Sequence, residues 1–410
     1  MCPRMSAENY CFGKGAAQQQ RLPPGGTNRR AALYGLLFLC PDVPGCGDYS
    51  GKVVEKMPEK VLMKGNEALA EAAIQAGCRL FFGYPITPQT EVAAYMSKRM
   101  PKVGGTYLQA ESEVAAINMV LGASAAGARA MTSSSSPGIS LKSEGISYMA
   151  GSDLPALIIN VQRGGPGLGG IQPSQADYWQ ATRATGHGDF QILVFAPSTV
   201  QEMVDLVSDA FDLGDKYRMP AMILADGMLG QMMEPVVLPD HTGKELPAKP
   251  WAACGHRDQR SHNVINSLYL TPQELERLTR ERFKRYEKIK QEEQRAEEYL
   301  TEDADVVLVA YGASSRISRS AVNMAREKGI KAGLIRPITL WPYPVNSIEK
   351  AVLTAKAFLC VEMSMGQMVD DVRLAVNGRR PVHFYGRTGG IIPTPLEVLD
   401  QIEKIAGGVQ

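Results

Sequence analysis

Two carboxylates, Glu111 and Glu113, are separated by one residue in the segment LQAESEVAAINMVLGASAAGA. Counted from Glu113, the positions three, four, seven and eight residues further on are all apolar, which predicts a helix whose buried stripe begins at Glu113. A carboxylate on a buried face is costly unless it is paired or protonated, so proteins keep such groups mostly at working sites. The alternative is a first-turn glutamate that the helix dipole favours and that stays in water. Glu111 is expected to be an ordinary surface residue.

A second candidate is Thr87, which lies in the segment FFGYPITPQTE. Pro85 and Pro88 fix φ and remove two backbone donors, so an extended segment must end here and a new element begin. Thr87 is predicted to cap a helix whose first residue is Pro88. The alternative is an ordinary strand-to-helix turn without a chemical role.

A third candidate is Arg163, which stands at the carboxyl end of a buried-looking strand in NVQRGGPGLGGIQPSQADYW. Ligands of parallel α/β sheets gather at this edge. Arginine suits a bidentate grip on a carboxylate or phosphate, and the glycines allow the backbone to approach a ligand closely. The alternative is a mobile surface loop.

Two further turns carry small hydroxyl residues. The serines of TSSSSPG, residues 132–138, either cap the following helix or contact a ligand, and capping is the favoured interpretation. The segment YGASS, residues 311–315, places Gly312 at a helix N-terminus, where free N–H groups attract anions. Because this is not a G-x-G-x-x-G motif, a tight turn with a serine cap is favoured over an anion site.

Short apolar runs alternate with helical segments from about residue 60 to 240. The runs are RLFFGYP, GTYLQAE, ARAMTS, PALIINVQ, FQILVFAP and PAMILAD. Continuous apolar runs suit strands buried on both faces, and repeated strand-helix units predict a parallel, doubly wound α/β domain. Thr87, Glu113 and Arg163 each follow one of these strands. We therefore expect the three residues to converge at one edge of the sheet.

The remaining chain divides into segments of different composition. We predict an α/β domain at 58–240, a linker at 241–301 and a second α/β domain at 302–408, in which strand, glycine turn and helix recur. The charged segment 271–300 in the linker is expected to be a solvated connecting helix, with partner binding as the alternative. Residues 1–56 are expected to be a leader, either disordered or translated from a misplaced start upstream of Met57.

Composition excludes several classes of function. The formal net charge is +1 and basic residues do not cluster, so neither nucleic-acid nor membrane-surface binding is expected. No stretch approaches the roughly 18–20 apolar residues of a membrane helix. The seven cysteines form no CxxC pair, which argues against a zinc site or an iron-sulfur cluster held by this chain alone. No metal site is predicted, and an odd cysteine count without framework spacing indicates a reducing, cytoplasmic compartment.

Three motifs together resemble a known family. GYPITP, AESEVAAINMVLGASAAGARAMTSSSSPG and NVQRGGPGLGG are similar to the α-type subunit of the 2-oxoacid:ferredoxin oxidoreductases, especially of the branched-chain type. The resemblance covers residues 58–408, where YGASSR, IRPITLWPYP and VEMSMGQM also fit. It implies a doubly wound, parallel-sheet pyrimidine-binding domain for thiamine diphosphate, followed by a transketolase-C-terminal-like α/β domain.

The resemblance also implies roles for particular residues. In this family thiamine diphosphate is shared with a partner subunit, and Glu113 matches the glutamate that hydrogen-bonds its aminopyrimidine ring and promotes formation of the reactive ylide. Thr87 matches a threonine beside cofactor and substrate, and Arg163 matches the arginine that receives the 2-oxoacid carboxylate. The other residues of the turn that line the cofactor are Tyr84, Pro85 and Ile86. A later GLPT-like threonine of many relatives is missing, and Gln172 or Ser174 takes its place as the substrate-contact candidate.

Thiamine enzymes hold the diphosphate and Mg²⁺ with a GDG motif and a later asparagine, and neither pattern occurs here. The resemblance therefore implies a β-type partner that binds diphosphate and Mg²⁺, together with γ-type and ferredoxin-like δ-type subunits that carry [4Fe-4S] clusters. The implied reaction is thiamine- and CoA-dependent oxidative decarboxylation of a 2-oxoacid, such as 3-methyl-2-oxobutanoate or pyruvate, to acyl-CoA and CO2 with reduction of ferredoxin. The alternatives are a non-oxidative thiamine decarboxylase or transketolase-like component, and a non-catalytic nucleotide- or CoA-binding protein.

Overall fold

The apolar runs of the N-terminal region form the strands of a doubly wound sheet. A computed structural model describes residues 59–183, 185–239 and 245–408, and the predicted leader at 1–56 lies outside these ranges. The strands of this region are β1 (Lys60–Lys64), β2 (Leu80–Gly83), β3 (Thr106–Gln109), β4 (Ala130–Ser134), β5 (Leu157–Gln162), β6 (Leu193–Phe195), β7 (Ala221–Asp226) and β8 (Met233–Val237). Its helices are α1 (Gly65–Gln75), α2 (Thr90–Arg99), a 3-10 turn (Met100–Val103), α3 (Glu113–Ala125), α4 (Ser136–Gly151), α5 (Tyr178–Thr182), α6 (Val200–Tyr217) and α7 (Gly227–Gln231).

The C-terminal region repeats the strand-helix alternation after a long helix. Its elements are α8 (Pro272–Glu292), β9 (Ala296–Tyr299), β10 (Val306–Val309), α9 (Gly312–Glu327), β11 (Ala332–Pro337), β12 (Thr339–Trp341), α10 (Val345–Val352), β13 (Ala357–Glu362), α11 (Met368–Val376), β14 (Val382–Gly386) and α12 (Pro395–Ala406). No helix of the described residues is long and apolar enough to span a membrane.

The strands build two large sheets and a small one. The seven-stranded sheet has the order β12-β6-β7-β5-β4-β2-β3, and all its pairs are parallel except β12 with β6. The five-stranded sheet has the order β14-β13-β10-β11-β9, with only β9 antiparallel. Strands β1 and β8 form an antiparallel pair. Strands β4, β5 and β7 are buried along their whole length, as expected for strands covered by helices on both faces.

Two strands pair in ways that the apolar pattern does not reveal, and one of them, β12, connects the two regions. Strand β12 follows the second sheet's β11 in sequence but adds to the edge of the first sheet, where Ala196 N–H donates to Ile338 O at 2.8 Å. Strand β9, which lies inside the predicted linker at 241–301, pairs with β11. The two α/β regions therefore share sheet hydrogen bonds.

Gln175 is the centre of the contact between the two regions. Its side chain is fully buried, its Nε2 donates to Tyr311 O at 2.8 Å, and its Oε1 accepts from Ser314 Oγ at 2.7 Å and from Met363 N–H at 3.0 Å. The Gln175 N–H also donates to Met363 O at 2.9 Å. Because one side chain satisfies three groups of the C-terminal region, it fixes how that region packs against the loop after β5.

Glu362 organises the adjoining part of the C-terminal region, in the motif VEMSMGQM. Its buried carboxylate accepts from the N–H groups of Gln367, Met368 and Val369, each at 3.1 Å, at the start of α11. A carboxylate at a helix N-terminus satisfies otherwise unpaired donors and suits the helix dipole. The Gln367 side chain then donates to Ala176 O at 2.8 Å, next to Gln175.

Helix α8 is a connector that is only half solvated. Its first turns carry surface ion pairs and leave Leu275 exposed, whereas Tyr286 and Ile289 in its last turns lie in the main core. The buried guanidinium of Arg282 donates to the side chain of Asp153. The C-terminal half of α8 is thus part of the fold.

Candidate active site

The carboxyl ends of β2, β4, β5 and β7 lie side by side because these strands are parallel neighbours. The turns that follow β2 and β5 carry Thr87 and Arg163, and the turn after the neighbouring β3 leads to Glu113. The topology therefore brings the three predicted residues to the same edge of the sheet.

Glu113 is the first residue of α3 and is only 6% exposed. Ser112 caps the helix, since its Oγ accepts from Ala115 N–H at 3.1 Å. Ala116 and Ile117, one turn further on, are buried, so the carboxylate opens the apolar stripe as its spacing predicts. Among the described residues, none donates a hydrogen bond to this carboxylate.

The junction between β4 and α4 forms the other wall beside Glu113. A Cβ added at Gly138 would lie 2.1 Å from Ser134 Oγ and 2.7 Å from Glu113 Oε1, so only glycine fits against the carboxylate. The buried hydroxyls of Ser134 and Ser135 have no hydrogen-bond partner among the described residues. Ser135 is the N-cap residue of α4 but makes no side-chain capping bond, so the predicted serine cap is wrong. The Ser134 hydroxyl therefore leaves a polar atom without a partner close to Glu113.

The turn that contains Thr87 does not cap a helix. Helix α2 begins at Thr90 with Gln89 as its N-cap, so the predicted cap by Thr87 is wrong. The Pro88 carbonyl accepts from Asn66 Nδ2 at 2.8 Å and so bonds outside α2. Thr87 is exposed at this turn. Of the turn residues that precede it, Tyr84 and Pro85 are exposed and Ile86 is half-buried.

Arg163 ties the turn of Thr87 to the glycine-rich loop. It is 7% exposed, and its Nη1 and Nη2 donate to Thr87 O at 3.0 Å and to Leu168 O at 3.1 Å. Its buried Nε has no partner among the described residues. Arg163 therefore holds two loops together and keeps donor capacity for a further acceptor.

A hydrogen-bonded chain through Ser136 and Asp177 holds the backbone of Arg163. The N–H of Arg163 donates to Ser136 Oγ at 3.1 Å, and this hydroxyl donates to Asp177 Oδ2 at 2.5 Å. Burial raises the pKa of the Asp177 carboxyl, and the hydrogen bonds from Ser136 and Asn160 and the charge of Arg163 oppose that rise. Ser136 lies two residues before Gly138, which abuts Glu113. Arg163 and Glu113 therefore both contact the first turn of α4.

The two alternative substrate-contact candidates lie at the far end of the glycine loop. Gln172 is exposed and its carbonyl accepts from Gly164 N–H at 2.9 Å. Its Cβ is 2.2 Å from the position of a Cβ added at Gly390, so its side chain packs on the C-terminal region. The hydroxyl of Ser174 is buried and accepts from Ala176 N–H at 3.1 Å. The Ser174 hydroxyl also donates to Met363 O of the C-terminal region at 3.5 Å, so it is used within the fold. Gln172 has the side chain that remains accessible.

The turn YGASS is closed by a carboxylate of the chain. Gly312 has φ +55°, which favours glycine, and Asp226 Oδ2 accepts from Ala313 N–H at 2.9 Å. The other oxygen of Asp226 accepts from Leu229 N–H at 3.0 Å. Burial raises the pKa of Asp226, and the backbone donors oppose the rise. The tight turn is confirmed, but the serine cap predicted with it is wrong, because the N-cap residue is Tyr311 and makes no side-chain capping bond. At the alternative anion site, Asp226 already accepts from Ala313 N–H.

Two family models match the chain. The thiamine-diphosphate-binding domain of the pyruvate flavodoxin/ferredoxin oxidoreductases matches residues 71–303, and core domain II of pyruvate:ferredoxin oxidoreductase matches residues 304–398. The chain belongs to this oxidoreductase family. The family resemblance of the motifs is confirmed, and so is the predicted doubly wound thiamine-binding domain with a second α/β domain after it.

Named relatives agree with this assignment. Ketoisovalerate oxidoreductase subunit VorB of Methanothermobacter thermautotrophicus is 49% identical over 84% of this chain and 98% of the relative. The 2-oxoglutarate synthase subunit KorA of the same organism is 36% identical over 85% of this chain and 100% of the relative. The solved 2-oxoglutarate:ferredoxin oxidoreductase of Magnetococcus marinus has a TM-score of 0.77 at 28% identity, covering 85% of this chain and 66% of that one. This chain is therefore a subunit of a 2-oxoacid:ferredoxin oxidoreductase.

A split-gene transketolase is similar in fold alone, with a TM-score of 0.55 and 14% identity over 85% of this chain and 99% of that one. That likeness is consistent with the expected transketolase-like order of domains.

Besides Asp177, the site of this oxidoreductase subunit contains a second ionisable residue that the sequence did not single out. Lys142 lies on α4, fully buried, and burial lowers its pKa to about 8 against an attraction by Glu113 that raises it. The signal available in the sequence is its position four residues after Gly138, which places the two residues on one face of α4. That signal has meaning only once α4 is known to pack on α3.

Replacing Gly138 by alanine is expected to lower the free energy of unfolding of this subunit by about 2 kcal/mol, because the new methyl group overlaps Ser134 and Glu113 in a packed region. Chemical unfolding of the purified protein measures the effect. Gly122→Ala is the matched control, since a Cβ at this position of α3 meets nothing within 4 Å and alanine favours a helix. Equal stability of the two variants would contradict the close contact at Gly138.

Proposed function

We propose that this subunit binds the pyrimidine end of thiamine diphosphate and that its complex oxidatively decarboxylates 3-methyl-2-oxobutanoate to acyl-CoA and CO2 while reducing ferredoxin. The observation that carries the proposal is Glu113, a buried carboxylate without a hydrogen-bond donor among the described residues, at the sheet edge of a domain in a thiamine-binding family. The unpartnered hydroxyl of Ser134 close to it fits the polar edge of an aminopyrimidine ring.

The residues of this chain would act by holding a proton and by orienting the substrate. Glu113 would share a proton with a ring nitrogen of the pyrimidine, and its low-dielectric surroundings strengthen that bond. Thiamine diphosphate, when bound, supplies the nucleophilic carbon and the electron sink for decarboxylation. Thr87 would lie beside the reacting carbonyl, and Tyr84, Pro85 and Ile86 would form the wall of the turn.

Arg163 would receive the carboxylate of the 2-oxoacid through its unpartnered Nε and the remaining N–H groups of its terminal nitrogens. Its bonds to Thr87 O and Leu168 O hold the guanidinium in place, so the substrate meets a group whose orientation is already set. Gln172 would contact the substrate's side-chain end.

Two observations support a branched-chain substrate. The relatives named for ketoisovalerate are 49% identical to this chain, whereas those named for 2-oxoglutarate are 36–38% identical. The loop 164–172 presents Leu168 and Ile171 and has no basic side chain. A second carboxylate, as in 2-oxoglutarate, would need a cation there, whereas a branched apolar group would not.

The complex would need further subunits. A β-type partner would bind the diphosphate and Mg²⁺, because this chain has no GDG motif. Among the described residues, His, Cys, Asp and Glu form no group of three placed to hold a metal. The γ-type and ferredoxin-like δ-type subunits would carry the [4Fe-4S] clusters and the CoA-facing surface, in a cytoplasmic complex.

Turnover of the co-purified complex across a panel of 2-oxoacids, with CoA and ferredoxin, tests the proposal. We expect the highest kcat/KM for 3-methyl-2-oxobutanoate and strict dependence on ferredoxin and CoA. Release of CO2 without ferredoxin reduction would support a non-oxidative thiamine decarboxylase or transketolase-like component instead. A complex that binds CoA or a nucleotide but turns over none of the 2-oxoacids would support the non-catalytic alternative.

A further inference from the structure

Lys142 is a buried cation that the proposed function does not use. Its side chain is fully buried in α4, and its Nζ has no hydrogen-bond partner among the described residues. An unpaired ammonium group in a protein interior is costly, and such groups are retained mostly where they serve a site. Its position therefore calls for a reason other than stability.

The packing of α4 on α3 places Lys142 next to Glu113. Gly138, Lys142 and Gly145 are spaced by four and three residues, so they lie on one face of α4. At one end of this face Gly138 abuts the Glu113 carboxylate, and at the other end Gly145 abuts Ile117, where an added Cβ would lie 2.6 Å from Ile117 Cγ2. Lys142 therefore leaves α4 between these two contacts, in the interface that contains Glu113.

Glu113 is the ionisable group that faces Lys142. Its attraction is the influence that favours the charged form of Lys142 against the cost of burial. The strands β4 and β5, which also pack on α4, contribute no ionisable side chain. Arg163 and Asp177 contact Ser136 at the start of α4, and His187 contacts Tyr148 near its end.

We propose, resting on the function proposed above, that Lys142 is a positioning residue for Glu113. Its ammonium group attracts the Glu113 carboxylate and holds it against Gly138, where the carboxylate accepts a hydrogen bond from a protonated ring nitrogen of the cofactor. In this role Lys142 does not touch the substrate. Its contribution is made through Glu113, and it is maintained at the expense of stability.

Replacing Lys142 by methionine separates these two effects. Methionine has a similar length and no charge, so it removes the burial cost of the ammonium group. We expect the Tm of the cofactor-free complex to rise and the Kd for thiamine diphosphate, measured by calorimetry with Mg²⁺, to increase about tenfold. A residue that served only packing would not change stability and cofactor affinity in opposite directions.

The pH dependence provides a second readout. The pKa of Lys142 is about 8 in the folded protein, below its ordinary value of 10.5. Below pH 8 Lys142 is protonated in both the folded and the unfolded protein, so burying its charge lowers the free energy of unfolding by the full amount. As the pH rises from 8 to 10.5, Lys142 loses its proton in the folded protein first, and the free energy of unfolding increases. The Tm advantage of Lys142→Met should therefore be largest below pH 8 and shrink at pH 9.5. The arginine of Lys142→Arg stays charged at pH 9.5. When the pH is raised from 7 to 9.5, the affinity of this variant for thiamine diphosphate should therefore fall less than the affinity of the unmodified protein.

A double-mutant cycle of Glu113→Gln and Lys142→Met completes the test. We expect their effects on the Tm of the cofactor-free complex to be non-additive. Either substitution alone removes the attraction between the two charges, so the second substitution has no attraction left to remove. Lys98→Met, at an exposed position of α2, is the control that removes a lysine charge without burial. Lys142→Gln replaces Lys142→Met in the same cycle if the methionine variant does not assemble.

Additive effects in the cycle, or an unchanged Kd for thiamine diphosphate in Lys142→Met, would overturn the assignment of Lys142. Failure of the proposed function has a different result. In that case Glu113→Gln alone would bind thiamine diphosphate and turn over 2-oxoacids like the unmodified complex, whereas the Tm cycle would still report on the pair of charges.

Discussion

Replacing Glu113 by glutamine is expected to lower the kcat of the assembled complex about a thousandfold, the usual range for loss of a positioned proton-transfer group. Glutamine preserves the shape of the side chain but cannot share a proton with the pyrimidine ring. Glu113 is buried and receives no hydrogen bond from the described residues, and no other carboxylate is placed on this stripe of α3. Steady-state turnover with 3-methyl-2-oxobutanoate, CoA and ferredoxin measures the loss.

Glu111→Gln is the matched control for this experiment. Glu111 stands two residues earlier and is exposed, so the same chemical change there should leave kcat within about twofold of the unmodified complex. Comparable losses in the two variants would indicate a general effect of charge at the start of α3. Retention of full activity by Glu113→Gln would reject the role of this carboxylate.

Replacing Gln175 by alanine is expected to cause the largest loss of stability, about 4 kcal/mol. The substitution leaves Ser314 Oγ and Met363 N–H without a partner in a buried interface, and each unsatisfied buried group costs about 1–3 kcal/mol. Tyr311 O also loses its bond to Gln175 and keeps only the one from Ser315 N–H at 3.3 Å. The midpoint of denaturant unfolding measures the loss, and limited proteolysis should show earlier separation of the two α/β regions.

Gln401→Ala provides the comparison for Gln175. Its Nε2 bonds only to Asp400 at 3.1 Å on the exposed side of α12, so its removal should change stability by less than about 0.5 kcal/mol. If both variants unfold at the same denaturant concentration, the contact through Gln175 does not hold the two regions together.

Local patterns in the sequence were sufficient to predict where most strands of the seven-stranded sheet lie. Each of the six apolar runs became a strand. Continuous burial on both faces explains the apolar runs of β4, β5, β6 and β7, whereas β3 is mostly exposed. The stripe that begins at Glu113 also followed from spacing alone, since helical periodicity depends only on neighbours within two turns. By contrast, Thr87 and the serines of TSSSSPG were predicted to cap helices, but α2 begins at Thr90 with Gln89 as its N-cap, and Ser135, the N-cap residue of α4, makes no side-chain capping bond.

What depended on pairing between distant segments could not be deduced from any one segment. The antiparallel strand β12 joins the first sheet across more than 140 residues, because its partner β6 has an open edge there. Asp226 closes the turn at Gly312, and Gln175 connects the two regions, although neither stands in a local motif that indicates such a role.

The candidate active site also combines features that local sequence predicted with features that depend on distant segments. The sequence by itself determined which residue types stand at the ends of the parallel strands, and hence that Thr87, Glu113 and Arg163 share one edge, because parallel strands align their carboxyl ends. Only the tertiary structure decided what surrounds them: that Gly138 leaves room for the Glu113 carboxylate, that Arg163 holds two loops, and that Lys142 is buried beside Glu113. Contacts between helices α3 and α4 depend on packing angle and depth, which the spacing of residues within one helix does not specify.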